Sequence, residues 1–147
     1  MMKRILMVLL LLTSFTTFAA TTKAQAIQIY YNIIKANDFW IYPQLRFSNS
    51  KEMNASAGVR YITINQGLLD KTNLNELAFI IGHEFGHFKL LHTGSTPSNE
   101  FAADKRGYYY ASKAGYNAHK GKQVFKKFKQ RYSKTHPHPK DRFRALP

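Results

Sequence analysis

Residues 82–87 read Gly-His-Glu-Phe-Gly-His, in a chain of 147 residues with six histidines and no cysteine. Two histidines four positions apart on a helix differ by about 40° around the axis, so their rings share one face. His83 and His87 can therefore offer two ring nitrogens to one zinc ion, at roughly 2.0–2.1 Å each. Glu84, about 100° round from His83, can lean over such an ion without binding it. There it can take a proton from a zinc-bound water and later pass it to a leaving amine. Five residues with three fixed positions arise often by chance, so a third ligand is needed to give the pattern weight. A third histidine at the end of an extended motif is excluded, because Leu90 and Thr93 stand where Gly and His would be required. The run Asn-Glu-Phe-Ala-Ala-Asp, 99–104, supplies the alternative. Glu100 and Asp104 share a helical face by the same spacing. Glu100 becomes the third ligand, and Asp104 accepts the distal N–H of a zinc histidine and fixes its tautomer. Water fills the fourth position.

These side chains need elements to hold them. Asn73 with Glu76 has the form of a capping box ahead of an apolar run, which predicts a helix through to about His92. Gly82 and Gly86 in that helix would let another segment approach closely. His, Glu and His on an otherwise apolar helix are costly to bury alone, and a metal removes that cost. The loop Thr-Gly-Ser-Thr-Pro-Ser follows, with Pro97 marking a restart and a second helix ending at Gly115. A third helix is expected over 118–132, with lysines on one side and Val124, Phe125 and Phe128 on the other. Apolar residues at 26, 27, 30, 33 and 34 predict an earlier amphipathic helix over 22–36. Residues 44–50 alternate weakly as a strand, 54–58 read as a turn, and Val59–Asn65 is a clearer strand, either a sheet edge or an interior strand. The prolines after Thr135 preclude a regular helix through the start of the tail. The elements make an α+β domain, mainly helical, with a small β-sheet packed beside the HExxH helix.

Composition narrows the setting. Lys3 and Arg4, the apolar run Ile5–Leu12, and small residues at Ala19 and Ala20 read as an export signal over 1–20. Ala24-Gln25-Ala26 offers a second cleavage point, up to residue 26. The apolar run is short of the roughly 20 residues a membrane span needs, so cleavage is favoured over a retained anchor. Residues 21–147 then form a single domain, exported to the periplasm or beyond. Without cysteine there is no disulfide, lipoprotein anchor, thiol mechanism or thiolate-bound zinc. Net charge is +14. Up to Asp104 there are nine Lys/Arg against seven Asp/Glu; from Lys105 onward there are thirteen against one, Asp141. That third is either a solvated face or a surface for anionic membrane or cell-wall polymer. After export, nucleic acid is excluded as a partner.

The runs "HEFGHFKLLH", "NEFAADKRG", "KAGYN" and "THPHPKDRFRAL", in that order, resemble the HtpX and CAAX-prenyl-protease family of zinc metallopeptidases. The soluble, exported branch with BepA-like and Oma-like catalytic domains is the nearer likeness, over Gln44 to Leu146. The resemblance implies a zincin-like fold of the gluzincin type and one Zn2+ per chain. It also implies a polypeptide substrate and a quality-control role on misfolded envelope proteins. His136 matches the family's late histidine, either an oxyanion stabiliser, a fourth zinc ligand that displaces water, or an exposed loop residue. Arg142 matches its late arginine, either a buried anchor or a carboxylate or oxyanion contact. His92 matches the further histidine of the motif. At about 140° from His87 it should not bind the same ion; it either caps the helix end or supports the site. Only twelve residues separate His87 from Glu100, where many relatives carry a longer insertion. The function expected is a zinc metalloendopeptidase. The alternative is a catalytically weak metal-binding module that docks through its basic third.

Overall fold

The computed structural model describes residues 19–147, so the export signal expected over 1–20 lies almost wholly outside the described residues. Helix α1, Lys23–Ala36, starts at a capping box in which Thr22 and Gln25 satisfy each other's backbone N–H groups. It buries Ala26, Tyr30 and Ile33 of the expected apolar face, but Ile29 takes the place of Ile27, which is exposed, and Ile34 is half-buried. A three-stranded sheet follows, built from β1 (Gln44–Ser48), β2 (Ala55–Ala57) and β3 (Tyr61–Asn65) in the order β1-β3-β2. β1 runs parallel to β3 with Gln44 opposite Tyr61, and β2 runs antiparallel with Ala55 opposite Ile64. Ile62 and Ile64 alternate into the core. The strand expected over Val59–Asn65 begins only at Tyr61 and is the interior strand, and the sheet edges belong to β1 and β2.

One turn of helix, α2 (Gln66–Leu69), leads to α3, Leu74–Lys89, the central element. Its start is the Asn73/Glu76 box, with both reciprocal hydrogen bonds at 3.0 Å. Every residue from Glu76 to Gly86 is buried, because α1, the sheet, α4 (Pro97–Lys113) and α5 (Ala118–Gly121) surround it. Phe79 meets Phe125 edge to face, and Phe85 stacks on Tyr30. Glu76 is buried with its charge met by Lys127 Nζ at 2.6 Å. The last helix, α6, is Pro139–Arg144. Among the described residues no helix is long and apolar enough to cross a membrane.

Two expectations fail locally. The turn expected over 54–58 contains strand β2, three small residues with no β-forming side chain that pair because Ile62 and Ile64 stand opposite them. The helix expected over 118–132 ends at Gly121 and tightens into a 3-10 turn over Lys122–Lys126. Lys127 reaches back to Glu76 and to the Lys71 carbonyl, while Gln130 caps the Phe125 and Phe128 carbonyls. Those contacts stop the winding that the lysine/phenylalanine period alone would continue. The tail also holds a short helix beyond its prolines, with Pro139 at its first position, where the missing N–H costs nothing.

Candidate metal centre

The site depends on how closely α3 and α4 approach. A Cβ on Gly82 would fall 2.8 Å from the Gly107 carbonyl oxygen, and one on Gly107 would fall 2.6 Å from the His83 nitrogen. Backbone therefore packs on backbone, which only glycine permits. The loop 90–96 returns the chain so that α4 lies along α3. Its N-terminus is held by Thr96, whose hydroxyl accepts the Asn99 N–H, and by Pro97 at the first position. Glu100 and Asp104, one turn apart on α4, then face His83 and His87, one turn apart on α3. All but His87 are buried, and that ring is only slightly exposed.

The donor atoms converge. His83 Nε2 and His87 Nε2 lie 3.0 Å apart. Glu100 Oε1 is 3.4 Å from His87 Nε2, and Oε2 is 3.5 Å from His83 Nε2. A tetrahedral ion with bonds of about 2.0–2.1 Å requires ligand separations of about 3.3–3.4 Å, so the three donors fit zinc. Two further observations say the same. Two ring nitrogens 3.0 Å apart repel unless a cation or proton lies between them. Glu100 Oε2 is buried and receives no well-aligned hydrogen bond, although Arg142 Nη2 stands 3.1 Å away. Among the described residues, His83, His87 and Glu100 form the group with mutually close metal-binding atoms. His136 is not in it.

A layer of partners orients these donors. Asp104 Oδ1 lies 2.9 Å from His83 Nδ1, which leaves Nε2 free for an ion. Arg142, from α6, donates Nε to Asp104 Oδ2 at 2.8 Å and Nη2 to Oδ1 at 2.6 Å. Its guanidinium also lies over the Phe125 ring. Arg142 is thus buried and joins α6 to the α4 carboxylates. His92 returns beneath His87 because Leu91 adopts a left-handed conformation, φ 55°, and the His92 N–H closes back on the His87 carbonyl at 3.0 Å. Its Nδ1 sits 2.9 Å from His87 Nδ1. If His87 presents Nε2 to an ion, its Nδ1–H donates and His92 accepts. His136 Nε2 lies 3.6 Å from Glu100 Oε1, with Thr135 Oγ1 2.8 Å from its Nδ1. His138 accepts the Lys140 N–H at the start of α6. Ser95 was not anticipated. Its hydroxyl donates a short hydrogen bond to Glu100 Oε1, and nothing in the sequence marks it beyond a place five residues ahead of Glu100 in the returning loop.

The electrostatics follow from burial and these partners. Burial pushes the Glu84 carboxyl above its ordinary range, against the pull of His83 and His87. Burial opposes charge on His83, but the Asp104 carboxylate outweighs it and raises the proton affinity of the ring. Burial would also raise Glu100; the His87 hydrogen bond and the nearby His83 and Arg142 charges bring it down to about 2 instead. Asp104 is likewise held low against its burial, by Arg142 first. His92 is lowered by burial and by His87, which suits a neutral acceptor.

A buried N,N,O donor set beside a proton-accepting carboxyl is the equipment of a hydrolytic metal centre. The sequence profile of peptidase family M48 matches residues 20–98, more than half the chain, and the protein belongs to that family of metallopeptidases. No curated protein matches the chain. The matched segment contains His83, Glu84 and His87 but ends before Glu100, so the α4 residues rest on the geometry described above.

Proposed function

We propose that the protein is a zinc-dependent endopeptidase acting on flexible or misfolded polypeptides of the cell envelope after export. The observation that carries this reading is the convergence of His83, His87 and Glu100 with buried Glu84 one residue from the first histidine. His83, His87 and Glu100 would hold the ion. When bound, zinc supplies a Lewis acid for a carbonyl oxygen and brings the pKa of water towards about 7. Glu84 takes the proton of the attacking water and delivers it to the leaving nitrogen. His136, its Nδ1 held by Thr135, presents Nε2 to the carbonyl oxygen as negative charge develops there. Asp104, Arg142, His92 and Ser95 hold the donors in register. The short connection from α3 to α4 leaves no long insertion over the centre, which suits a polypeptide rather than a small enclosed substrate.

Export rests on the N-terminal signal, with the periplasm or exterior as the location. The experiment is zinc analysis paired with cleavage of casein, a disordered protein. Wild type should hold about one zinc per chain. Glu84→Gln should keep the zinc and lose cleavage by about 10²–10⁴-fold. Equal cleavage by the two proteins, or no bound zinc, would refute the reading.

A further inference from the structure

The basic third is not a uniform face. Lys129, Arg131 and Lys134 fall in the loop between the 3-10 turn and α6, and residues 129–136 are all exposed. The loop is pinned at both ends. Upstream, Gln130 Nε2 donates to the Phe125 and Phe128 carbonyls at 2.9 and 2.7 Å. Downstream, Pro137 and Pro139 are buried, and the Tyr132 hydroxyl donates to Asp141 at 2.6 Å. That bond engages the only acid after Asp104. Between the pins runs a tight turn. Ser133 N–H donates to the His136 carbonyl at 3.1 Å, and His136 N–H donates to Ser133 Oγ at 2.8 Å. The same turn brings His136 Nε2 to 3.6 Å from Glu100 Oε1.

Lys134 lies inside the very turn that presents His136 to Glu100, and Lys129 and Arg131 precede that turn in the same exposed loop. Among the described residues none of the three makes an ion pair. A solvated face on a soluble protein normally interleaves both signs of charge, which weakens its field. Unmatched cations at the edge of a cleft concentrate and orient anionic segments instead. We propose that Lys129, Arg131 and Lys134 form a cationic ledge beside the metal centre that selects polypeptide segments rich in Asp and Glu. The inference rests on the peptidase reading for its consequence, cleavage near acidic stretches, but the ledge itself is a binding surface and is tested as one.

Two fluorescein-labelled disordered peptides would share one apolar centre, flanked by Glu in one and by Ser in the other. Their binding to the full chain carrying Glu84→Gln is followed by fluorescence anisotropy. The acidic peptide should bind about tenfold more tightly in dilute salt, the combined effect of roughly three exposed charge pairs. The advantage should shrink to about twofold or less near 0.3 M salt, where the Debye length falls to about 6 Å. It should vanish in the Lys129→Ser/Arg131→Ser/Lys134→Ser variant, whose changes are all exposed. Equal affinity for the two peptides, or a preference that survives the triple substitution, overturns the proposal. So does loop-dependent binding to phosphatidylglycerol vesicles without any peptide preference, which would make the ledge a lipid surface. With the native Glu84, the triple variant should cut the Ser-flanked peptide at the wild-type rate and lose only the gain on the Glu-flanked one. If wild type cuts neither peptide, the peptidase reading fails while the binding result still decides the ledge.

Discussion

Gly107→Ala tests whether the backbone contact between α3 and α4 is what sets the metal centre. The added methyl carbon would stand 2.6 Å from the His83 nitrogen, 2.9 Å from its Cα and 3.0 Å from the Phe79 carbonyl oxygen. All three are backbone atoms, so no side chain can swing aside. Ordinary contact begins at 3.4 Å, so α4 must retreat by about 0.8 Å or tilt by an equivalent amount. Two energies then compete. Alanine is the better helix former by about 1 kcal/mol, whereas forcing a methyl group into a closed contact costs about 1–3 kcal/mol. The second is the larger here, because the clash is with backbone on every side. A net loss of up to about 2 kcal/mol is expected. Glu100 and Asp104 ride on the same helix, within two turns of Gly107. Metal sites tolerate only about ±0.2 Å in ligand distance, so zinc affinity should fall by at least about tenfold. Urea unfolding of the chelator-treated protein gives the first quantity, and competition against a fluorescent zinc chelator gives the second. Gly94→Ala is the control, since a methyl group there meets nothing within 4 Å. A Gly107→Ala protein that is more stable and binds zinc as tightly as wild type would show that the close approach does not position the ligands.

Asp104→Asn keeps the shape of the residue that orients His83 but removes its charge; zinc affinity should drop about 10–100-fold, and unchanged affinity in the same chelator competition would assign Asp104 to α6 docking alone. In the zinc-free protein, Glu100 at about 2 lies below its ordinary 4.5, a gap of about 3 kcal/mol. A depressed folded-state value gives stability that is complete above pH 4.5 and is lost as the pH falls through about 2, so urea midpoints should decline over that window and decline less in Glu100→Gln; parallel curves would contradict the assignment. Thr21 donates both its N–H and its hydroxyl to the Leu69 carbonyl at 3.0 Å, and Thr22 caps α1. A chain starting at Ile27 should therefore lose about 2–3 kcal/mol against one starting at Thr21, as read by urea unfolding, and equal stability would leave cleavage as late as residue 26 open.

What could be read from the sequence is what the chain encodes locally. The Asn73/Glu76 box, Pro97 and the spacings of α1 carry their own start signals, so α1, α3 and α4 were placed to within a few residues. The pairs 83/87 and 100/104 follow from helix period alone. Strand β2 could not be read, because Ala55–Ala57 has no strand-forming residue and owes its conformation to β3. The helix expected over 118–132 stops short because Lys127 answers a charge, Glu76, that lies 51 positions earlier. Within the site the same division holds. The contacts of Ser95 and His92 depend on chain reversals, and the second of these turns on a left-handed leucine where the sequence offers no glycine to announce it.

Charge balance ties the centre to the fold. Three buried carboxylates, Glu84, Glu100 and Asp104, meet one buried arginine, which leaves a deficit of two positive charges. A divalent cation cancels it. Without the ion, protons must take its place, and the two groups whose proton affinity is raised, Glu84 and His83, sit beside the donors. Loading the metal therefore has to expel protons, and affinity for it should climb with pH until they are gone. The same accounting explains why Arg142 comes from a helix 38 positions beyond Asp104. Two carboxylates one turn apart on α4 would be costly to bury against the histidines alone, so the docking of α6 through Arg142 and the burial of the site depend on each other.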